Sequence, residues 1–183
     1  MKKLITLILL ITCVITNGQE ASLDKVLRIN ILNPGVEFEL PVSTKGIISL
    51  NPGIGINSSY VSSRSPIGDS GLTYFISPFA DVSYKNIYNR KARSRKSKNT
   101  SYNSGNFWGI RFLTKFGEIG DKVSDREDNI DFSLSPVWGI QRAYGKFHLL
   151  FNTGPVYFFD TKRNHYFFPV SVELNIGFNM KSL

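Results

Sequence analysis

The chain has 183 residues, 42% of them hydrophobic and 13% aromatic, with 22 Lys and Arg against 14 Asp and Glu for a net charge of +8. This length fits a single domain, and the positive balance favours anionic partners. A lone cysteine, Cys13, excludes an internal disulfide and a cysteine-built metal site.

Lys2 and Lys3 precede the apolar run LITLILLITCVIT, and Thr16 and Gly18 are small residues spaced as a cleavage site requires. The run from Leu4 to Thr16 is shorter than the roughly 20 residues of a spanning helix. Residues 1–18 therefore read as a secretory signal peptide, cut between Gly18 and Gln19, and residues 19–183 as one exported domain. Cys13 falls within the removed piece, and LITC lacks the small residues of a lipoprotein signal. Losing Lys2 and Lys3 lowers the net charge from +8 to +6.

Along residues 19–183 apolar and polar positions alternate with period two, the pattern of strands with two unlike faces. In chain order the segments fall near 32–42, 46–61, 72–88, 106–117, 130–142, 147–160 and 165–180, all rich in aromatic and β-branched residues. In the last, Tyr166, Phe168, Val170, Val172, Leu174, Ile176, Phe178 and Met180 share one face. Helical periodicity is nowhere sustained. Seven segments are clear, and an eighth is expected in a stretch that reads as loop or within an over-long segment.

Asn33-Pro34-Gly35 and Asn51-Pro52-Gly53 carry strong turn signals. Yet the apolar phase runs through both, from Leu32 to Leu40 and from Ile48 to Ile56. Pro78, Pro136, Pro155 and Pro169 also sit on apolar faces, so both triplets read as kinks or bulges inside curving strands. Leu27, Ile29 and Ile31 have the opposite phase, which puts a register slip between Ile31 and Leu32.

Three features turn the apolar face outward, toward lipid. The opposite face carries Glu37, Glu39, Asp81, Lys85, Arg111, Lys115, Asp131 and Glu173, charges of both signs able to pair across a narrow lumen. Tyr74, Tyr84, Tyr88, Trp108, Tyr157, Phe159, Tyr166 and Phe178 gather toward segment ends, as interfacial girdles do. The segments also exceed the 9–11 residues of a tilted transmembrane strand. The expected fold is all-β: a closed antiparallel up-and-down transmembrane β-barrel of about eight strands with a polar, filled lumen. Lipid supplies no hydrogen bonds, so no strand edge can face it.

The order YKNIYNRKARSRKSKNTSYNSGNFWGI, LSPVWGIQRAYGKFHLLFNTGPVYFF and a final strand ending LNIGFNM resembles the small outer-membrane β-barrel proteins of Gram-negative Bacteroidota. INILNPGVEFEL is similar to their first strand, and the likeness spans nearly all of residues 19–183. It implies location in the outer membrane and contact with the barrel-assembly machinery during insertion. The ending KSL departs from the terminal aromatic residue common in such proteins.

No acidic residue lies between Asp81 and Glu118, while Arg90, Lys91, Arg93, Arg95 and Lys96 form a basic loop. Its guanidinium groups suit lipopolysaccharide phosphates; the alternative is a solvated loop without a partner. Nucleic acid is not expected as a partner of an exported chain. The segment GEIGDKVSDREDNID is acidic but lacks the ligand spacing of a calcium loop, and no metal or cofactor is expected. Only His148 and His165 offer imidazole, neither within a catalytic motif, so the chain reads as structural or surface-interacting rather than catalytic. A hydrogen bond at the lumen or rim accounts for His148, and lumen ion pairs account for Glu37 and Glu39 better than a glycosidase pair does. The other readings are a secreted soluble lipocalin-like barrel with its apolar face inward, and a barrel hydrolase that modifies lipid A.

Overall fold

The computed structural model of the protein describes residues 23–61, 71–117, 119 and 130–182. They form eight strands: β1 (Val26–Asn30), β2 (Gly35–Pro41), β3 (Gly46–Val61), β4 (Gly71–Ile87), β5 (Gly105–Phe116), β6 (Ile130–Tyr144), β7 (Phe147–Asp160) and β8 (His165–Ser182). Each pairs antiparallel with the next, and β8 pairs back with β1 to close the barrel. The expected signal peptide, residues 1–18, lies outside the described residues. So do Glu118, Asp121, Asp125, Glu127 and Asp128 of the acidic segment.

The alternation governs which way side chains point. On β2, Val36, Phe38 and Leu40 are exposed while Glu37 and Glu39 are buried. On β6, Leu134 and Trp138 face outward while Ser133, Ser135 and Gln141 face in. Leu174 is 50% exposed and Trp138 45%, so the large apolar groups cover the outside and the centre is polar. A small apolar layer of Leu23, Ile47, Ile87, Phe107, Val137 and Leu150 crosses the interior.

The first Asn-Pro-Gly corrects the sequence reading. Residues 31–34 are a turn joining β1 to β2, and β1 is the eighth strand. The slip between Ile31 and Leu32 is the change of parity that a four-residue turn imposes, because outward Ile29 pairs with outward Val36. The second triplet does lie within a strand. Pro52 sits in β3 opposite Ala80, and the β2–β3 ladder is broken between the Phe38–Leu50 and Gly35–Gly53 pairs.

Two more prolines face each other. The pairs Leu134–Tyr157 and Trp138–Thr153 set Pro136 opposite Pro155, so the missing N–H donors of β6 and β7 coincide. On its other side Pro155 marks a register shift against β8. Across that bulge Phe168 lies opposite buried Val156, and Phe167 opposite exposed Tyr157. The single apolar face read from Tyr166 to Met180 is therefore inverted in its upper part, because the bulge adds a residue to β8.

The backbones of β6 and β7 approach closely here, and a Cβ on Gly154 would run into the carbonyl oxygen of Pro136. Gly154→Ala is expected to lower the free energy of unfolding by about 2 kcal/mol or more. Gly145→Ala, at φ +61° with open space around it, should cost only about 1 kcal/mol. Urea unfolding followed by the fluorescence of Trp108 and Trp138 measures both.

Candidate functional site

The lumen charges sort into two groups. Arg28 of β1 is fully buried; its Nη1 lies 2.8 Å from Glu37 Oε2 and its Nη2 3.3 Å from Glu39 Oε2. Lys85 Nζ of β4 lies 2.9 Å from both Glu37 Oε1 and Glu39 Oε1. Further donors complete the shell. Ser49 Oγ donates to Glu37 at 2.6 Å, and Gln141 Nε2 and Asn103 Nδ2 donate to Glu39 at 3.1 and 2.9 Å. The second group joins three strands: Arg111 Nε lies 2.6 Å from Asp81 Oδ2, and its Nη1 3.1 Å from Glu173 Oε2.

Six expected lumen residues, Glu37, Glu39, Asp81, Lys85, Arg111 and Glu173, thus meet inside the barrel. The other two, Lys115 and Asp131, face each other across β5 and β6 toward one end. Both carboxylates of the Glu37–Glu39 pair are committed to cations, which leaves neither as a free acid or base. Sequence reasoning missed Arg28, the central cation. Its signal lies in VLRIN, where Arg28 is the polar member between Leu27 and Ile29, but five residues are too few for alternation to mark a strand.

His148 also departs from expectation. It is fully buried, and neither ring nitrogen has a hydrogen-bond partner in place of the expected one. His165 lies exposed near the β7–β8 turn.

The basic stretch, read as a loop, forms a short helix, α1 (Arg90–Arg95), between β4 and β5. Arg, Lys and Ala are good helix formers, and Arg93 and Arg95 suit the last turn. Two of the five expected contact residues are spent locally. Arg90 Nη1 donates to Thr100 O at 2.7 Å, and Arg93 Nη2 to Asn99 O at 2.7 Å. Partial burial draws the Arg90 guanidinium below its ordinary value, opposed by the Asp24 carboxylate. Lys91, Arg95 and Lys96 are exposed, and Lys98, Lys25, Lys45 and Lys146 extend the positive surface at the same end of the barrel.

After α1 the chain turns into the barrel mouth. A 3-10 turn, Ser101–Asn103, places Asn103 inside with no exposed surface. Asn103 donates to Asp24 O at 2.8 Å, accepts from Asp24 N at 2.7 Å, and reaches Glu39. Tyr102 and Asn103 hold left-handed φ values of 50° and 60°. The connection thus closes this end at some conformational cost.

Aromatic rings gather toward both ends. Near α1, Tyr84 meets Trp108 at 6.2 Å, Trp138 Nε1 donates to Tyr88 Oη at 3.0 Å, and Phe147 meets Phe178 at 6.1 Å. Toward the other end Phe112, Phe132 and Phe159 stack, with Tyr157 beside them. Tyr74 lies in β4, but its side chain is outside the described residues.

These features define a small closed β-barrel with an ionic interior, an apolar belt and one strongly basic end. Against family models, curated proteins and solved structures alike, the chain shows no significant match.

Lys85→Met would leave two buried carboxylates to share one guanidinium. It is expected to destabilise the fold by about 3–5 kcal/mol, and adding Glu37→Gln should recover part of that loss. Urea unfolding of the single and double variants gives the coupling.

Proposed function

We propose that the chain is an integral outer-membrane β-barrel with a structural or surface-interaction role, exported by its signal peptide. The observation that carries this reading is the sidedness of the wall. Leu50, Val82, Ile110, Leu134, Trp138 and Leu174 face outward while buried ionic groups fill the centre. In water such a surface would be a large exposed apolar patch, which soluble monomers rarely carry; in a bilayer it is the required exterior. The same sidedness favours the membrane reading over a lipocalin-like carrier, which needs an apolar interior to hold an apolar ligand.

The basic end is assigned to anionic headgroups, with lipopolysaccharide phosphates as the fitting partner. Lys91 and Arg95 of α1 and Lys96 just after it are the free cations, while Arg90 and Arg93 act mainly in shaping the connection. The belt of Tyr84, Tyr88 and Trp108 lies between this charge and the apolar band, the position aromatic residues take at a membrane interface. The barrel interior is too narrow for a general pore.

The protein is expected to need detergent for extraction and to change its electrophoretic mobility on boiling. Recovery from the periplasm as a detergent-free monomer would overturn the membrane assignment. In lipid vesicles Leu174→Arg should cost about 2–4 kcal/mol if that position lies near the bilayer midplane, whereas on a solvated surface the same change would be close to neutral. Replacing Lys91, Arg95 and Lys96 with Ala should weaken binding to lipopolysaccharide without loss of fold, as read by co-sedimentation together with heat-dependent mobility.

A further inference from the structure

We propose that the gap in the wall beyond the β1–β2 hairpin receives a β-hairpin of a partner protein, whose two strands complete the sheet between β3 and β8. The inference stands whether the barrel sits in lipid or in water.

The gap follows from the strand lengths. β1 last pairs with β8 at Asn30–Gly177, and β2 with β3 at Gly35–Gly53. Past those pairs β8 extends to His165 and β3 to Val61, and among the described residues neither has a strand beside it on that side.

Backbone direction shows what the two edges offer. On β8, Ile31 N–H donates to Ile176 O at 2.8 Å, while Asn179 N–H donates to Lys146 O of β7 at 2.7 Å. Successive residues of an antiparallel strand turn their N–H and C=O to alternate sides, so between Ser171 and Asn179 the even-numbered residues face away from β7. Val172 and Leu174 therefore present N–H and C=O to the gap. On β3, Ile54 N–H donates to Pro34 O at 2.8 Å, and the unbroken register with β4 carries the same parity to Ile56, Ser58 and Tyr60.

Val172 and Leu174 also hold their side chains outward, 65% and 50% exposed. Water suits such an amide but not the side chain, and hydrocarbon suits the side chain but not the amide. A neighbouring strand satisfies both, which is why an uncovered edge acts as a template for another chain. The devices that usually blunt an edge are missing from this stretch. From Val170 to Ile176 the one charged residue is Glu173, held to Arg111 at 3.1 Å in the lumen, and Pro169 lies outside it, in the bulge.

Width and direction decide how many strands fit. β1 and β2 fill the same interval nearer α1, so the gap spans three interstrand spacings, about 14 Å. β3 and β8 run in opposite directions, so one added strand pairs antiparallel with only one of them, whereas the two strands of a hairpin pair with both, as β1 and β2 do. The hairpin that fits is apolar on the side flush with Val172 and Leu174, and small or polar on the side flush with Ser171 and Asn175. A second copy of the chain is a poor source, since its eight described strands are held in their own ring.

The test is amide hydrogen exchange of the detergent-solubilised protein, with and without a synthetic hairpin of about 14 residues in which Val alternates with Thr around an Asn-Gly turn. In the protein alone, the amides of Val172 and Leu174 should exchange about tenfold faster or more than those of Ser171 and Glu173, which face β7. The probe should slow Val172 and Leu174 by about tenfold, and the same probe N-methylated along its outer edges should not. Equal protection of all four amides in the protein alone would overturn the proposal, because the chain itself would then close the gap. A probe that protects neither amide, or an N-methylated probe that protects them equally well, would overturn it too. Protection that grows with protein concentration in the absence of probe would overturn it in favour of a second copy.

Discussion

Charged groups withdrawn from water are tolerable only when each finds partners close at hand, and this barrel is organised around that requirement. Glu37 and Glu39 lie two residues apart on β2 and so point into the same lumen. Arg28 reaches them from β1 and Lys85 from β4, with Ser49, Gln141 and Asn179 adding bonds from β3, β6 and β8. One network therefore touches six of the eight strands. Closure of the sheet and neutralisation of the interior depend on each other, since the partners of β2 come from opposite sides of the ring. With its charged groups paired inside, the wall is free to present oil outside.

The barrel's two ends are built differently. At the α1 end, Asn103 enters the lumen and joins Asp24 to Glu39, and Asn99 Nδ2 holds Ala143 O at 2.7 Å. The left-handed residues of this connection are strain held in place by those bonds. At the other end Phe158, Tyr166 and Phe168 are exposed although the β7–β8 register sets them on the lumen side of the wall. Among the described residues, the ionic floor of the interior lies beneath α1.

Much of this was legible because period-two alternation is a local property. The strands from β3 to β8 were readable to within a residue or two, and so were the lumen positions of Glu37, Glu39, Asp81, Lys85, Arg111 and Glu173. The failures share a cause: proline and short turns alter parity, and parity was the only ruler. A four-residue turn after Asn30 flips the phase and looks like a slip, which hid β1 and with it Arg28. A bulge opposite Pro155 flips it again, which misassigned Tyr166 and Phe168. The burial of Asn103 was not readable at all, because it depends on a loop meeting Asp24 nearly eighty residues away.

The β1–β2 hairpin ends early. It meets β3 only up to Gly53, while β3 runs on to Val61, and it meets β8 from Gly177 onward, while β8 begins at His165. Five residues of β1 rise roughly 16 Å along the strand, less once tilt is counted. The rim is thus a sloping one, low on one flank and tall on the other. Acyl chains offer nothing to a strand that has outrun its neighbour. On the membrane reading, a bilayer would wet the cylinder only to the height of that low flank, and the shortest hairpin, rather than the longest, would set how deep the molecule sits and toward which side it leans.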